Sequence, residues 1–245
     1  MRLRPLTCGR SRLMNRRTCA WSFAMILVLG GCAGGSMKSS PDNPTSADGL
    51  TPSIEDKEAG LVAIAPGFAI HRYRIIVVER FPVASRELQD EGDRRFAAKA
   101  SNSLQLELVR QLRESGLFQE VIDSSQTEFK PTDAPTLRLQ GAITRLGRGS
   151  GPERHFMGLF GGGSTRAQAD MQLVDVASNR AVVVTADRRR NSMGGFAGGS
   201  DEDLLNESFS DIARDLARFL VRLSKGEMPR SSRGEVERPL GQRRG

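Results

Sequence analysis

The segment "RAQADMQL" at 166–173 alternates without a break: Ala167, Ala169, Met171 and Leu173 against Arg166, Gln168, Asp170 and Gln172. Side chains in a strand point to opposite faces in turn, so this pattern demands a β-strand with one dry face and one wet face. "TLRLQGAIT" (136–144) follows the same rule, with Leu137, Leu139, Gly141 and Ile143 on the dry side. Strands of this kind belong to antiparallel sheets that are solvated on one side and covered on the other. "AVVVTADRR" (181–189) pairs back through "ASNR", where Asn179 tolerates positive φ.

Further strands are predicted at 61–65, 73–81 and 117–122, where β-branched residues cluster. Two helices supply the cover. The first spans about 87–115, with Phe96, Ala97, Ala100, Leu104, Leu108 and Leu112 on one face and Gly116 as its left-handed cap. The second begins near Ser200 and Asp203 in a capping-box arrangement, with Asp201 and Glu202 favoured by the helix dipole. Its stripe is Leu205, Phe209, Ile212, Leu216, Phe219 and Leu223, and Gly226 ends it. The order β-β-α-β-β-β-β-α predicts an α+β two-layer sandwich, a mainly antiparallel sheet with two helices on one face.

The N-terminus is of another kind. "NRR" at 15–17 precedes the mainly apolar run "TCAWSFAMILVL" (18–29) and then "GGCAGG". Arginines, a short apolar core and small residues describe an export signal too short to span a membrane as a stable helix. Leu29-Gly30-Gly31-Cys32 resembles the bacterial lipoprotein signal, the lipobox. That resemblance implies cleavage after Gly31 and acylation of Cys32. Residues 1–31 are then the signal peptide, and Met14 would open one of ordinary length.

Processing changes the chemistry available. Of the three cysteines, Cys8 and Cys19 are discarded and Cys32 carries lipid, which leaves no thiol for a disulfide, a zinc site or catalysis. Residues 1–31 hold six of the 36 basic residues and none of the 29 acidic ones, so the mature chain carries 30 basic against 29 acidic residues. A balance of +1 gives no reason to expect a nucleic-acid partner. Residues 32–58, rich in Gly, Ser, Pro and Asp, predict a flexible tether. The domain is expected over 60–226, and 227–245 reads as a polar, disordered tail.

Two stretches match each other: "MGLFGGGS" (157–164) and "MGGFAGGS" (193–200). The first, read as "GLFGGGST", misses a phosphate-binding loop by its lysine, whose place Ser164 takes, and a strand rather than a helix follows. No nucleotide or other cofactor is therefore expected. A hairpin turning near Ser178-Asn179, with opposite positions summing to about 357, brings both loops to one end of the sheet. Three readings stand: Phe160 and Phe196 plug the end of the core, they form an apolar contact patch with Met157 and Met193, or the glycines accommodate a strained ligand site. His155, just before the first loop, joins the candidate partner contact.

Catalytic constellations are missing. His71 and His155 are the two proton carriers near neutral pH, and neither has a carboxylate or Cys at ligand spacing. No G-x-S-x-G elbow and no H-E-x-x-H helix occurs. Asp201, Glu202 and Asp203 are explained by capping. "DRRR" (187–190) reads as solvated edge-strand charge, with contact to lipid phosphates as the alternative. An enzyme is not expected.

The run "LRLQGAITRLGRGS", then "ERHFMGLFGGGS", the strand "ADMQLVDVASNRAV" and the closing amphipathic helix resemble domain of unknown function 4410, a family of bacterial lipoproteins and exported proteins, over about 73–224. Gly141, the Gly-rich loop and "LVD" (173–175) carry the likeness, with Asn179 where the family turn has glycine. The resemblance implies no activity. With the lipobox, the expectation is an envelope lipoprotein anchored through Cys32 that acts as an accessory of an envelope assembly, with the loops 157–164 and 193–200 as its contact surface for an envelope protein. Ala33 is not the Asp that retains lipoproteins in the inner membrane, which favours the outer membrane, facing the periplasm. A solitary lipid- or glycan-binding module is the alternative.

Overall fold

The computed structural model describes residues 36–130, 133–147, 164–192 and 201–229. Eight strands form one sheet: β1 (Met37–Ser39), β2 (Ile54–Asp56), β3 (Gly60–Ile64), β4 (Ile75–Val78), β5 (Glu120–Asp123), β6 (Thr136–Gly147), β7 (Ser164–Asp175) and β8 (Arg180–Ser192). Helix α1 (Glu91–Glu114) joins β4 to β5, and α2 (Asp201–Ser224) follows β8. The sheet order is β2-β3-β8-β7-β6-β4-β5, with β1 also on β8. Pairing is antiparallel except at β4, which runs parallel to both β5 and β6. This is an α+β sandwich, as the pattern demands.

The helices cover the dry face. Phe96, Ala97, Ala100, Leu104, Leu108 and Leu112 of α1 are all buried, as are Leu205, Phe209, Ile212, Leu216 and Phe219 of α2. They meet Leu137, Leu139, Ile143, Ala167, Ala169, Met171 and Leu173 in one cluster. Asp90 caps α1, accepting from the Asp93 amide at 2.7 Å, while the Asp93 side chain reaches back to the Asp90 amide. This capping box sets the helix start at Glu91, inside the predicted 87–115, and Ser85–Glu87 forms a separate 3-10 turn. Gly116, Asn179 and Gly226 take positive φ at 63°, 51° and 76°. The expected start of α2 at Ser200 lies outside the described residues.

The wet face departs from expectation. The predicted tether over 32–58 is laid against the sheet from Ser36 onward. Residues 37–39 pair with Arg188–Arg190, and residues 54–56 pair with 60–62. Between them a strap crosses the polar face. Gln168 accepts from the Asp42 amide at 2.8 Å and donates to the Asp42 carbonyl at 3.0 Å. Asp170 accepts from the Thr45 amide at 2.8 Å and its hydroxyl at 2.7 Å. The strap turns tightly at Asp48-Gly49, both at positive φ, and the Ala181 amide donates to the Asp48 carboxylate. Gln168 and Asp170 are consequently 0% and 3% exposed, although their period places them on the solvated side. The strap holds by hydrogen bonds rather than by apolar burial, so hydrophobic periodicity carries no trace of it.

Gly141 marks the tightest approach within the sheet. A Cβ there would lie 2.1 Å from the Asp170 carbonyl oxygen. Gly141→Ala must push β6 from β7 and is expected to cost roughly 2–4 kcal/mol by urea unfolding. At Gly147 the same atom meets Arg166 at an ordinary 3.7 Å, so Gly147→Ala should leave the midpoint almost unchanged.

At the turn end of β7 the Tyr73 hydroxyl donates to Asp175 at 2.6 Å, and the Ser178 amide donates at 2.8 Å. Burial pushes the Asp175 carboxyl up, but these donors outweigh it and hold it below the usual carboxylate range. The stabilisation is present above the unfolded-state value and is lost as pH falls through the folded one. Tyr73→Phe is expected to cost about 1 kcal/mol at neutral pH and to flatten the acid limb of stability against pH, measured by urea unfolding at successive pH values.

Candidate functional site

Alternation along β8 splits the "DRRR" cluster between the two faces. Asp187 and Arg189 point to the helices and are 1% and 4% exposed. They are therefore not solvated edge charge; β1 covers this stretch of β8, and α2 lies over it. Arg189 donates to Asp187 at 2.8 Å and to Asp215 of α2 at 2.6 Å. Lys38, opposite Arg189 on β1, stands 3.9 Å from Asp187 and 3.6 Å from Asp215 and donates to the Glu58 carbonyl. Farther along α2, Arg222 donates to both Asp56 oxygens at 2.7 Å and pairs with Glu58.

Burial acts against the charge on Arg189, yet the Asp187 carboxylate beside it raises its proton affinity above the ordinary guanidinium value. Burial pushes the Lys38 amine down, and Arg189 adds to this against the pull of Asp187, Asp215 and Asp56. The carboxylates are committed to these cations. The seam joins the N-terminal segment, β8 and α2 through charge.

A cleft of about 460 Å³ opens on the outer face beside the strap, lined by Thr45, Arg80, Gln140, Asp170 and Gln172 among others. Asp170 is saturated, since Thr144 at 3.1 Å and Gln168 at 2.9 Å donate to its second oxygen. Glu79 faces Arg138 at 3.5 Å. Gln140 and Gln172 stand opposite each other on β6 and β7. The cleft offers amide and guanidinium hydrogen bonds to a polar ligand. His71 is exposed on the single turn Ile70–Arg72, away from any carboxylate ion pair. Among the described residues, no group of three or more His, Cys, Asp or Glu is placed to hold a metal ion.

The open end of the β7–β8 hairpin is the third location. Ser164 pairs with Ser192, Arg166 with Arg190 and with Gly147, and Arg190 with Met37. Gly147, Ser164 and Ser192, where the chain enters or leaves the two glycine-rich stretches, therefore lie side by side. The candidate contact residues His155, Met157, Phe160, Met193 and Phe196, and the lipid-attachment residue Cys32, lie outside the described residues. Arg166, Arg190 and Met37 are exposed at this end. The sequence singles out Arg190 within "DRRR", where contact with lipid phosphates is the alternative reading; it does not single out Met37 or Arg166, although alternation places Arg166 on the outer face.

These features describe a small α+β sandwich whose polar sheet face is strapped by its own N-terminal segment. The chain belongs to the family of domain of unknown function 4410 (DUF4410), whose family model matches residues 76–202, from β4 to the start of α2. In fold it is similar to the PelC dodecamer from Paraburkholderia phytofirmans, at 15% identity and a TM-score of 0.39 over 64% of this chain and 98% of that one. It is similar also to protein XCC0632 from Xanthomonas campestris, at 11% identity and a TM-score of 0.41 over 72% and 96%. A candidate lipoprotein from Caulobacter crescentus CB15 shows 12% identity and a TM-score of 0.32 over 65% and 95%. No curated protein matches the chain.

Asp215→Ala leaves Arg189 buried with one partner fewer, and a broken buried ion pair costs about 3–5 kcal/mol. The double change Arg189→Met with Asp215→Leu is expected to cost less than the sum of its singles. A double-mutant cycle by urea unfolding should return a coupling above about 1 kcal/mol.

Proposed function

We propose that the protein is a bacterial envelope lipoprotein, anchored through acylated Cys32 in the outer membrane with its domain facing the periplasm, that acts by binding rather than catalysis as an accessory of an envelope assembly. The observation that supports this most directly is the seating of Ser36 and β1 on α2 and β8. Four peptide units separate Cys32 from Ser36, a reach of at most about 14 Å. The Ser36 hydroxyl bonds to Asp211 of α2, and β1 starts opposite Arg190. β1 therefore begins at the open end of the β7–β8 hairpin, and an anchor four residues before Ser36 would tether the domain by that end. Acyl chains on Cys32 would hold that end close to the bilayer, where an envelope partner would meet Phe160 and Phe196.

Support for binding over catalysis comes from the committed state of the interior charges: Asp170, Asp187, Asp215 and Asp56 each serve the strap or the seam. A second reading, a solitary module for a glycan or lipid, is favoured by the outer cleft with its facing amides Gln140 and Gln172. Three acyl chains exceed the two signals that durable anchoring needs.

Cys32→Ser is expected to move the protein from the membrane fraction to the soluble periplasm. Benzophenone amino acids at positions 160 and 196 in intact cells should yield discrete heavier bands containing an envelope protein. Crosslinks confined to the chain itself, with Cys32→Ser still in the membrane fraction, would overturn the proposal.

A further inference from the structure

We infer that the outer-face corner formed by Met37, Arg166 and Arg190 is the domain's docking surface for lipid headgroup phosphates, an inference that rests on the anchoring of Cys32. Gly147, Arg166, Arg190 and Met37 form one cross-strand row over β6, β7, β8 and β1. Lys38 and Arg189 turn inward to the seam, so Met37 and Arg190 turn outward. Met37 is 69% exposed, although it is a large apolar side chain at the start of an ordered strand.

The charges in this row are unbalanced. Arg166 and Arg190 are directly opposite each other, and like charges so placed destabilise a sheet unless an anion bridges them. Among the described residues neither arginine has an acidic partner within 4.0 Å. One row inward the sheet is neutralised: Arg188 meets Asp42 at 2.6 Å, and Arg145 lies 3.5 Å from Asp42 and 3.2 Å from Glu87. Among the described acids of α2 near this end, Glu202 is engaged by Lys99 at 2.7 Å and Glu207 by Asn191 at 2.6 Å. The two arginines of the last row are thus left for an external anion.

Chain length identifies the anion. Five residues of chain separate Cys32 from Met37, the first member of this row, so an acyl anchor at Cys32 would tether Met37 by at most about 18 Å of backbone. The headgroup layer is itself some 5–7 Å deep on each side of the hydrocarbon. Arginine side chains reaching outward from the row enter that layer, and Met37 follows them with its apolar end. Attraction to an anionic leaflet is worth about fivefold in partitioning for each basic residue near the surface. The lipid does the anchoring, and the arginines fix which way the domain stands.

The test uses the full lipidated chain purified from membranes and reconstituted into phosphatidylcholine vesicles with or without phosphatidylglycerol. Cys32 carries lipid on its sulfur, so M37C and, separately, L106C each supply a single thiol for a bimane label. Leu106 is 60% exposed on α1 and serves as the control. On phosphatidylglycerol vesicles the label at 37 should be quenched severalfold more by headgroup nitroxide than the label at 106, and be shielded from aqueous iodide. R166Q with R190Q, or omission of phosphatidylglycerol, should remove that difference while the thermal midpoint stays within a few degrees. Equal iodide access at 37 and 106, or quenching indifferent to the two arginines, would overturn the docking surface with the anchor intact. Shielding seen only in native envelopes would assign the corner to a protein partner and equally overturn it. A purified chain without acyl mass at Cys32 would overturn both the anchoring and this inference.

Discussion

Arg189 lies between two carboxylates that arrive from different directions, Asp187 from its own strand and Asp215 from α2. A guanidinium at this depth has to be neutralised in place, because the cost of burying it alone is several kcal/mol. That requirement fixes how α2 lies over β8. It also explains why Lys38 can sit beside Arg189: two acids already stand there to receive it. The first strand of the domain is thus tied to the last helix through charge, and the apolar core under α1 and α2 closes around that alignment.

The polar face obeys the complementary constraint. Gln168 and Asp170 need donors and acceptors once water is removed, and the strap supplies them from Asp42 and Thr45. The same two strands therefore carry a dry core on one side and a hydrogen-bonded cover on the other. What stays exposed is the last row before the hairpin opens, where no residue of the strap reaches.

Much of this was legible in the residues. The alternation in β6 and β7, the stripes of α1 and α2, and the positive-φ positions Gly116, Asn179 and Gly226 all appear where pattern places them, because each leaves a periodic or steric signature. The segment 36–58 was not legible. It buries little apolar surface, it contributes strands of three residues, and its partners on β7 and β8 lie more than a hundred positions away. Its composition is that of a linker, and only its hydrogen bonds distinguish it from one. "DRRR" was misread for a related reason: alternation sends its members to opposite faces, but nothing local announces that a helix acid waits for the inward pair. The hairpin register was nearly readable. A centre half a residue further along would pair Arg166 with Asn191 instead of Arg190, and the like-charge pair vanishes under that small shift.

The strap also sets an order of events. Its anchors on the sheet are Gln168, Asp170 and Ala181, which follow it in the chain by 126, 125 and 133 positions. A chain delivered across a membrane N-terminus first presents the strap long before those anchors exist. Contacts of such wide separation form late, after the hairpin they require. The strap is therefore the part of the domain that finishes folding last, and until then Gln168 and Asp170 stand open on an incomplete sheet.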